Sequence, residues 1–242
     1  MIDGVEWWAL AICLAVVAIG AAIQGLIGMG MGLLAAPILT LVEPSFLPVS
    51  MVVAVIPLSI GVAVRDWEHV QWRHVGLALT GRLPGVVVGA WAAATTGERF
   101  LAVVISVTVL VAVAASVTGF RIATTDRNLV LAGCASGFTA TAAGTGGPPI
   151  AITYQHQSPK VMRATLSVFF TAGATISLVA LSIAGQVGRT ELELSAALLP
   201  AVGLGFLASK PLVGRVPEHL IRTIVLTLCT VAALMLLAGE AM

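Results

Sequence analysis

The stretch SGFTATAAGTGGPPIAITYQ, residues 136–155, interrupts one of the most apolar parts of the chain. Its centre, GTGGPP at 144–149, places three glycines and two prolines inside a hydrophobic run flanked by threonines. A helix broken there loses backbone hydrogen bonds, and lipid offers no replacements. Broken backbone at membrane depth is tolerated only where it is buried in protein or lines an aqueous cavity.

The rest of the chain places this break in a bilayer. Its 242 residues are 59% hydrophobic and 10% charged, with mean hydropathy +1.06. Soluble domains carry roughly 25% charged residues. Apolar stretches recur at 7–42, 46–64, 74–95, 99–120, 128–154, 163–186, 193–213 and 218–238. The expected fold is an all-α polytopic membrane protein with about eight hydrophobic segments and no separate soluble domain. A net charge of +1 leaves no basic stripe for nucleic acid. Cys13, Cys134 and Cys229 lie in apolar segments without metal or disulfide spacing, which points to core packing. The N-terminal MIDGVEWW lacks the basic residues of a signal peptide, so the first segment is expected to stay in the mature protein.

The first and fifth segments are both long, and each holds a glycine cluster. Gly28-Met29-Gly30-Met31-Gly32 aligns with Gly144-Thr145-Gly146-Gly147-Pro148, and Pro84 with Gly89 matches Pro200 with Gly205 at the same offset. GERFLAVVI also resembles PEHLIRTIV in the same order. Two related halves are therefore expected, residues 1–120 and 121–242, forming one integrated transmembrane domain. If all eight segments cross, the loop Lys and Arg split almost evenly between the two sides. If the first and fifth are re-entrant or broken hairpins, every loop Lys and Arg except Arg99 and Arg189 falls on one side. Positive residues gather in cytoplasmic loops, which favours inverted halves with both termini outside. Eight plain spans with parallel halves remain the alternative.

Glycine breaks at matching places in two halves point to a midplane site. Helix N-termini expose N–H groups and the positive end of the dipole, and glycines let an anion approach them closely. The candidate ligands are Gly28, Gly30, Gly32, Gly144, Thr145, Gly146, Gly147 and Pro148, with Thr141 and Tyr154 among the nearby polar residues. Gln24, Thr139, Thr153 and Gln155 complete that polar set. Close helix packing is the competing explanation for the glycines. Every Asp and Glu lies at a segment end or in a loop, whereas Arg82 lies inside the third segment. An intramembrane charge is a functional hypothesis by default, and one with no acidic partner needs an anion, carbonyl oxygens or water. Snorkelling, or capping of carbonyls freed by Pro84, is the structural alternative for Arg82. The absence of mid-membrane carboxylates argues against cation carriers and proton relays. With no nucleophile–base pair or metal cluster in view, neither an enzyme nor a catalytic residue, metal or cofactor is expected.

These residues resemble the sulfite exporter TauE/SafE family of membrane permeases over nearly the whole chain. QGLIGMGMGLLAAPIL and GRLPGVVVGA in the first half carry the resemblance, with SGFTATAAGTGGPPIAITYQ, SPKVMRAT and PEHLIRTIV in the second. The resemblance implies two related halves in the cytoplasmic (inner) membrane. It also implies transport of small sulfur-containing anions or organosulfonates, such as sulfite or sulfoacetate. Composition alone reaches only an anion transporter acting by alternating access, with Pro84–Gly89 and Pro200–Gly205 as flexure points or packing sites. An anion channel using the same residues and a non-transporting membrane subunit are the alternatives. The expected partners are a small anion and the lipid bilayer, and a homodimer is left open.

Overall fold

The computed structural model of the chain describes residues 5–118, 122–154, 157–215 and 218–241. They form α1 (Trp7–Ile27), α2 (Met31–Val42), α3 (Val49–Arg65), α4 (Trp72–Thr95) and α5 (Glu98–Val117). The second half follows as α6 (Asp126–Ala143), α7 (Gly147–Tyr154), α8 (Pro159–Ile183), α9 (Arg189–Ser209) and α10 (Glu218–Ala241). No strand occurs among the described residues. α1, α4, α5, α8 and α9 are each long and apolar enough to cross a bilayer; α2, α3 and residues 223–238 of α10 are shorter apolar helices. Among the described residues the eight apolar stretches hold ten α-helices, because 7–42 and 128–154 are each cut in two.

Glycine makes both cuts. α1 stops where Gly28 adopts φ 85°, a left-handed conformation that a Cβ disfavours, and its N–H closes on Gln24 O at 2.8 Å. α6 stops at Gly144 in the same way, with φ 71° and a 2.9 Å bond to Ala140 O. The chain then doubles back. Met31 opens α2 beside Gly20 of α1, where a Cβ would lie 3.1 Å from Met31 Cα. In the second half Thr124, just ahead of α6, donates to Thr153 O near the end of α7 at 2.8 Å. Each cut segment is a helical hairpin.

The tips of the two hairpins lie beside different ends of α3. Arg65, at the end of α3, donates to Gly25 O beside the tip of the first hairpin at 2.8 Å. Met51, near the start of α3, meets the tip of the second, with its Cβ 3.1 Å from where a Gly144 Cβ would sit. The helices pack in matched pairs: α4 along α6 and α9 along α1, α4 on α8 and α9 on α3. α3 with α8, and α5 with α10, join the halves. Exchanging each of the first five helices for its counterpart in the last five maps these pairs onto one another.

Small residues allow the closest of these approaches. Gly81, Gly85 and Gly89 of α4 face α6, whose Gly133 and Gly137 face α4 in return. A Cβ on Gly89 would fall 2.7 Å from Phe138 O, and one on Gly205 2.9 Å from Ala21 Cβ. Both matched glycines therefore sit at helix–helix contacts, which is the packing role of the two roles open to them.

Candidate functional site

Where the two hairpins meet, a small cavity of about 40 Å³ is lined by Gly30 and Gly32 of the first turn and Gly144, Gly146 and Gly147 of the second. The turns touch directly. A Cβ on Gly32 would lie 2.7 Å from the carbonyl oxygen of Gly144. Space for a water needs roughly 10–15 Å³ on this measure, so the cavity suits a few waters or one small ion.

Arg82 also lines the cavity. It lies on α4, whose close approach to α6 carries it inward, and only 2% of it is exposed. One guanidinium nitrogen donates to Ser136 Oγ at 3.2 Å and another to Ser177 Oγ at 3.3 Å, while Nε has no hydrogen-bond partner. The guanidinium carbon lies 5.0 Å from the centroid of the Phe169 ring, a cation–π contact. No carboxylate pairs with Arg82 among the described residues, and its hydrogen bonds go to hydroxyls rather than to carbonyls freed by Pro84. It does not snorkel. Gly173 of α8 makes the room, since a Cβ there would overlap the guanidinium.

The hydroxyls tie this charge to the second turn. Ser136 donates to Gly146 O while accepting from Arg82. Thr141, fully buried, donates to Ser177 Oγ at 2.8 Å. On the opposite side Gln24 lines the cavity, accepts the N–H of Met31 at 3.3 Å and reaches Ser59 Oγ at 3.3 Å. Gln24 thus caps the start of α2. The remaining wall is apolar, formed by residues such as Met51, Val52 and Phe170. The site combines one buried cation, neutral donors and no carboxylate in its lining, an arrangement suited to a small anion with an apolar side.

Other sequence candidates fall elsewhere. Thr145 turns its N–H and hydroxyl back to Thr139 O, at 3.2 and 3.5 Å, closing the end of α6. Tyr154 ends α7 away from the cavity, with its hydroxyl 3.0 Å from His74 Nδ1. Pro148 lines a second, larger cavity. Gln155 and Arg121 lie outside the described residues. Met31 is fully buried core, whereas Met29 lines the second cavity. Gly28 lies against Arg163, 2.6 Å from the place of its Cβ to Arg163 Cα.

That last contact belongs to a cluster at the tip of the first hairpin. Arg163, from the SPKVMRAT motif, donates to Asp66 at 3.0 Å and to Leu26 O at 3.2 Å. Arg65 donates to Asp66 at 3.1 Å and to Gly25 O. The two arginines thereby cover carbonyls at the end of α1, where the helix dipole favours positive charge. Burial pushes the Asp66 carboxyl up. Hydrogen bonds and charge from Arg65 and Arg163 prevail and hold it below its ordinary value of 3.8.

Sequence reasoning missed Ser136 and Ser177 as partners of Arg82. The available signal was a serine one helical turn from a glycine, Gly173 with Ser177, in an otherwise apolar helix.

A family model described as sulfite exporter TauE/SafE matches residues 12–236, nearly the whole chain. No curated protein and no solved structure gives a significant match.

Proposed function

The chain belongs to the sulfite exporter TauE/SafE family, and from that premise we propose that it is a secondary transporter carrying a small sulfur-containing anion, such as sulfite or a sulfoacetate-like organosulfonate, across the cytoplasmic membrane. The observation that carries this reading is Arg82: a buried cation with no carboxylate partner among the described residues, facing a cavity formed by both glycine turns. A charge held 4 Å from an anion is worth about 4 kcal/mol at an effective dielectric of ~20. A hydroxyl hydrogen bond contributes roughly 0.5–1.5 kcal/mol. Arg82 then supplies most of the affinity, while Ser136, Ser177, Thr141 and the turn amides orient the anion.

Residues 1–120 and 121–242 are read as two inverted repeats, with both termini outside. The opposed hairpins and the exchangeable helix pairs support this arrangement. Because the turns touch at Gly32 and Gly144, a rocking of one half against the other reshapes the cavity between them.

The test is thermal stability of the purified protein against sulfite, thiosulfate, sulfoacetate, sulfate, taurine, acetate and chloride. A ligand that binds only the folded state raises the melting temperature with concentration. A sulfur oxyanion or sulfonate is expected to raise it for the wild type and not for Arg82→Gln. Absence of any shift in the wild type would remove the anion site. A shift that survives in Arg82→Gln would move the site onto the glycine turns alone.

A further inference from the structure

Behind the glycine turns lies a second cavity of about 330 Å³, bounded by α5, α7, α8 and α10. It reaches Gln157 and Pro159 in the connection that opens α8. Its wall toward the anion site is very thin. Gly30 faces the site and its neighbour Met29 the second cavity; Gly147 faces the site and Pro148 the second cavity. Leu33 lines both. The backbone of Leu33 is anchored, because its carbonyl accepts from Cys229 Sγ on α10 at 3.3 Å. On the other side of the site the packing is apolar. There Val49, Val52, Ala174 and Leu181 form a buried apolar cluster between α3 and α8.

We propose that Leu33 is the gate of the anion path on the side where α8 begins, and that the larger cavity is the water-filled vestibule leading to it. This rests on the transport reading given above. A chamber of this size has room for several waters, for which Ser116 and Gln157 are the polar side chains of a mostly apolar lining, and apolar constrictions such as Leu33 gate by dewetting. The anion keeps its hydration through the vestibule and sheds it only at Leu33, next to the charge of Arg82. Shortening the side chain joins the two cavities without touching Arg82 or its hydroxyl partners.

The experiment uses single cysteines in full-length protein carrying Cys13→Ala, Cys134→Ala and Cys229→Ser, in membrane vesicles of both orientations. The probe is a small, charged, membrane-impermeant methanethiosulfonate. Met29→Cys should react from the face where α8 begins. Val52→Cys, beyond the gate, should react roughly tenfold or more slowly than Met29→Cys, as a dry constriction requires. Adding Leu33→Ala should bring the Val52→Cys rate up to that of Met29→Cys and leave the latter unchanged. An unchanged Val52→Cys rate would overturn Leu33 as the gate. Reaction of Met29→Cys only with a membrane-soluble maleimide would show a lipid-filled cavity and overturn the vestibule. A missing melting shift with anion in the wild type would remove the transport reading, while the labelling rates still decide the gate.

Discussion

Arg82 is the residue on which most of the functional argument turns, and its energetics make an unusual prediction. Without an anion its charge is buried and answered, among the described residues, by two hydroxyls and a ring, which costs a few kcal/mol or more. Arg82→Gln should therefore abolish the anion-induced melting shift without lowering the melting temperature of the anion-free protein. A large drop in anion-free stability would make Arg82 a structural residue. Ser177→Ala removes one hydrogen bond worth about 1 kcal/mol, so affinity, read from the concentration dependence of the shift, should weaken roughly 3- to 10-fold. Arg82→Gln should weaken it by about 100-fold or more, from the larger Coulomb contribution. Asp66 makes a prediction in pH. Its folded-state pKa is depressed, so its stabilisation is fully present above the ordinary carboxylate value of 3.8 and is lost as pH falls through the folded value. The melting temperature should be flat near neutrality and fall in acid, with a shallower fall in Asp66→Asn. At neutral pH Asp66→Asn removes the carboxylate charge that Arg65 and Arg163 share and should cost about 1–2 kcal/mol, between the exposed and the fully buried case, since the cluster is partly buried. Arg82 was legible in the sequence because a charge in an apolar helix has few inexpensive explanations. Ser136 and Ser177 were not, because serines are ordinary in membrane helices and only the crossing of α4, α6 and α8 selects these two.

At the scale of elements, the glycine turns do two different jobs. Gly28 and Gly144 end helices through left-handed backbone, whereas Gly32 is helical and is required by a neighbour. Gly32→Ala would push its Cβ against the Gly144 carbonyl, a backbone atom that cannot rotate away. Overpacking of this kind costs typically 1–3 kcal/mol, so the variant should fold with a lowered melting temperature and lose uptake in reconstituted vesicles. Wild-type uptake by Gly32→Ala would show that the turns need not touch during the cycle. The sequence pattern located both turns but not their division of labour. GTGGPP announces a break, yet Thr145 closes the end of α6 while Gly146 and Gly147 face the cavity. That outcome depends on the direction in which α7 leaves the turn, set by Ser136 against Gly146 and by Thr124 against Thr153. Neither contact is local to the turn. The pairing of Pro84–Gly89 with Pro200–Gly205 has a similar history: the glycines mark where α4 meets α6 and α9 meets α1.

For the whole molecule, the opposed hairpins lead to a topology that labelling can check. Ser45 lies in the connection after α2 and Ser158 at the start of α8. In intact cells an impermeant maleimide should label Ser45→Cys from outside and should reach Ser158→Cys only after the membrane is opened. Labelling of both from one side would remove the inverted arrangement and, with it, the rocking of halves. Charge supports the same orientation, since Arg65, Arg73 and Arg163 gather through their partners at the end where α3 finishes and α4 and α8 begin. The amino-acid order alone determined that the chain lives in a bilayer, that two of its apolar segments are broken, and that the one intramembrane charge is positive. Those properties follow from hydropathy, backbone conformation and desolvation, each of which acts over a few neighbouring residues. Only the tertiary structure decided that Gly30 and Gly32 rather than Gly28 face the cavity, and that Leu33 stands between two chambers. The rotation of a short helix after a glycine turn is set by what it packs against, and here those partners come from the other half of the chain.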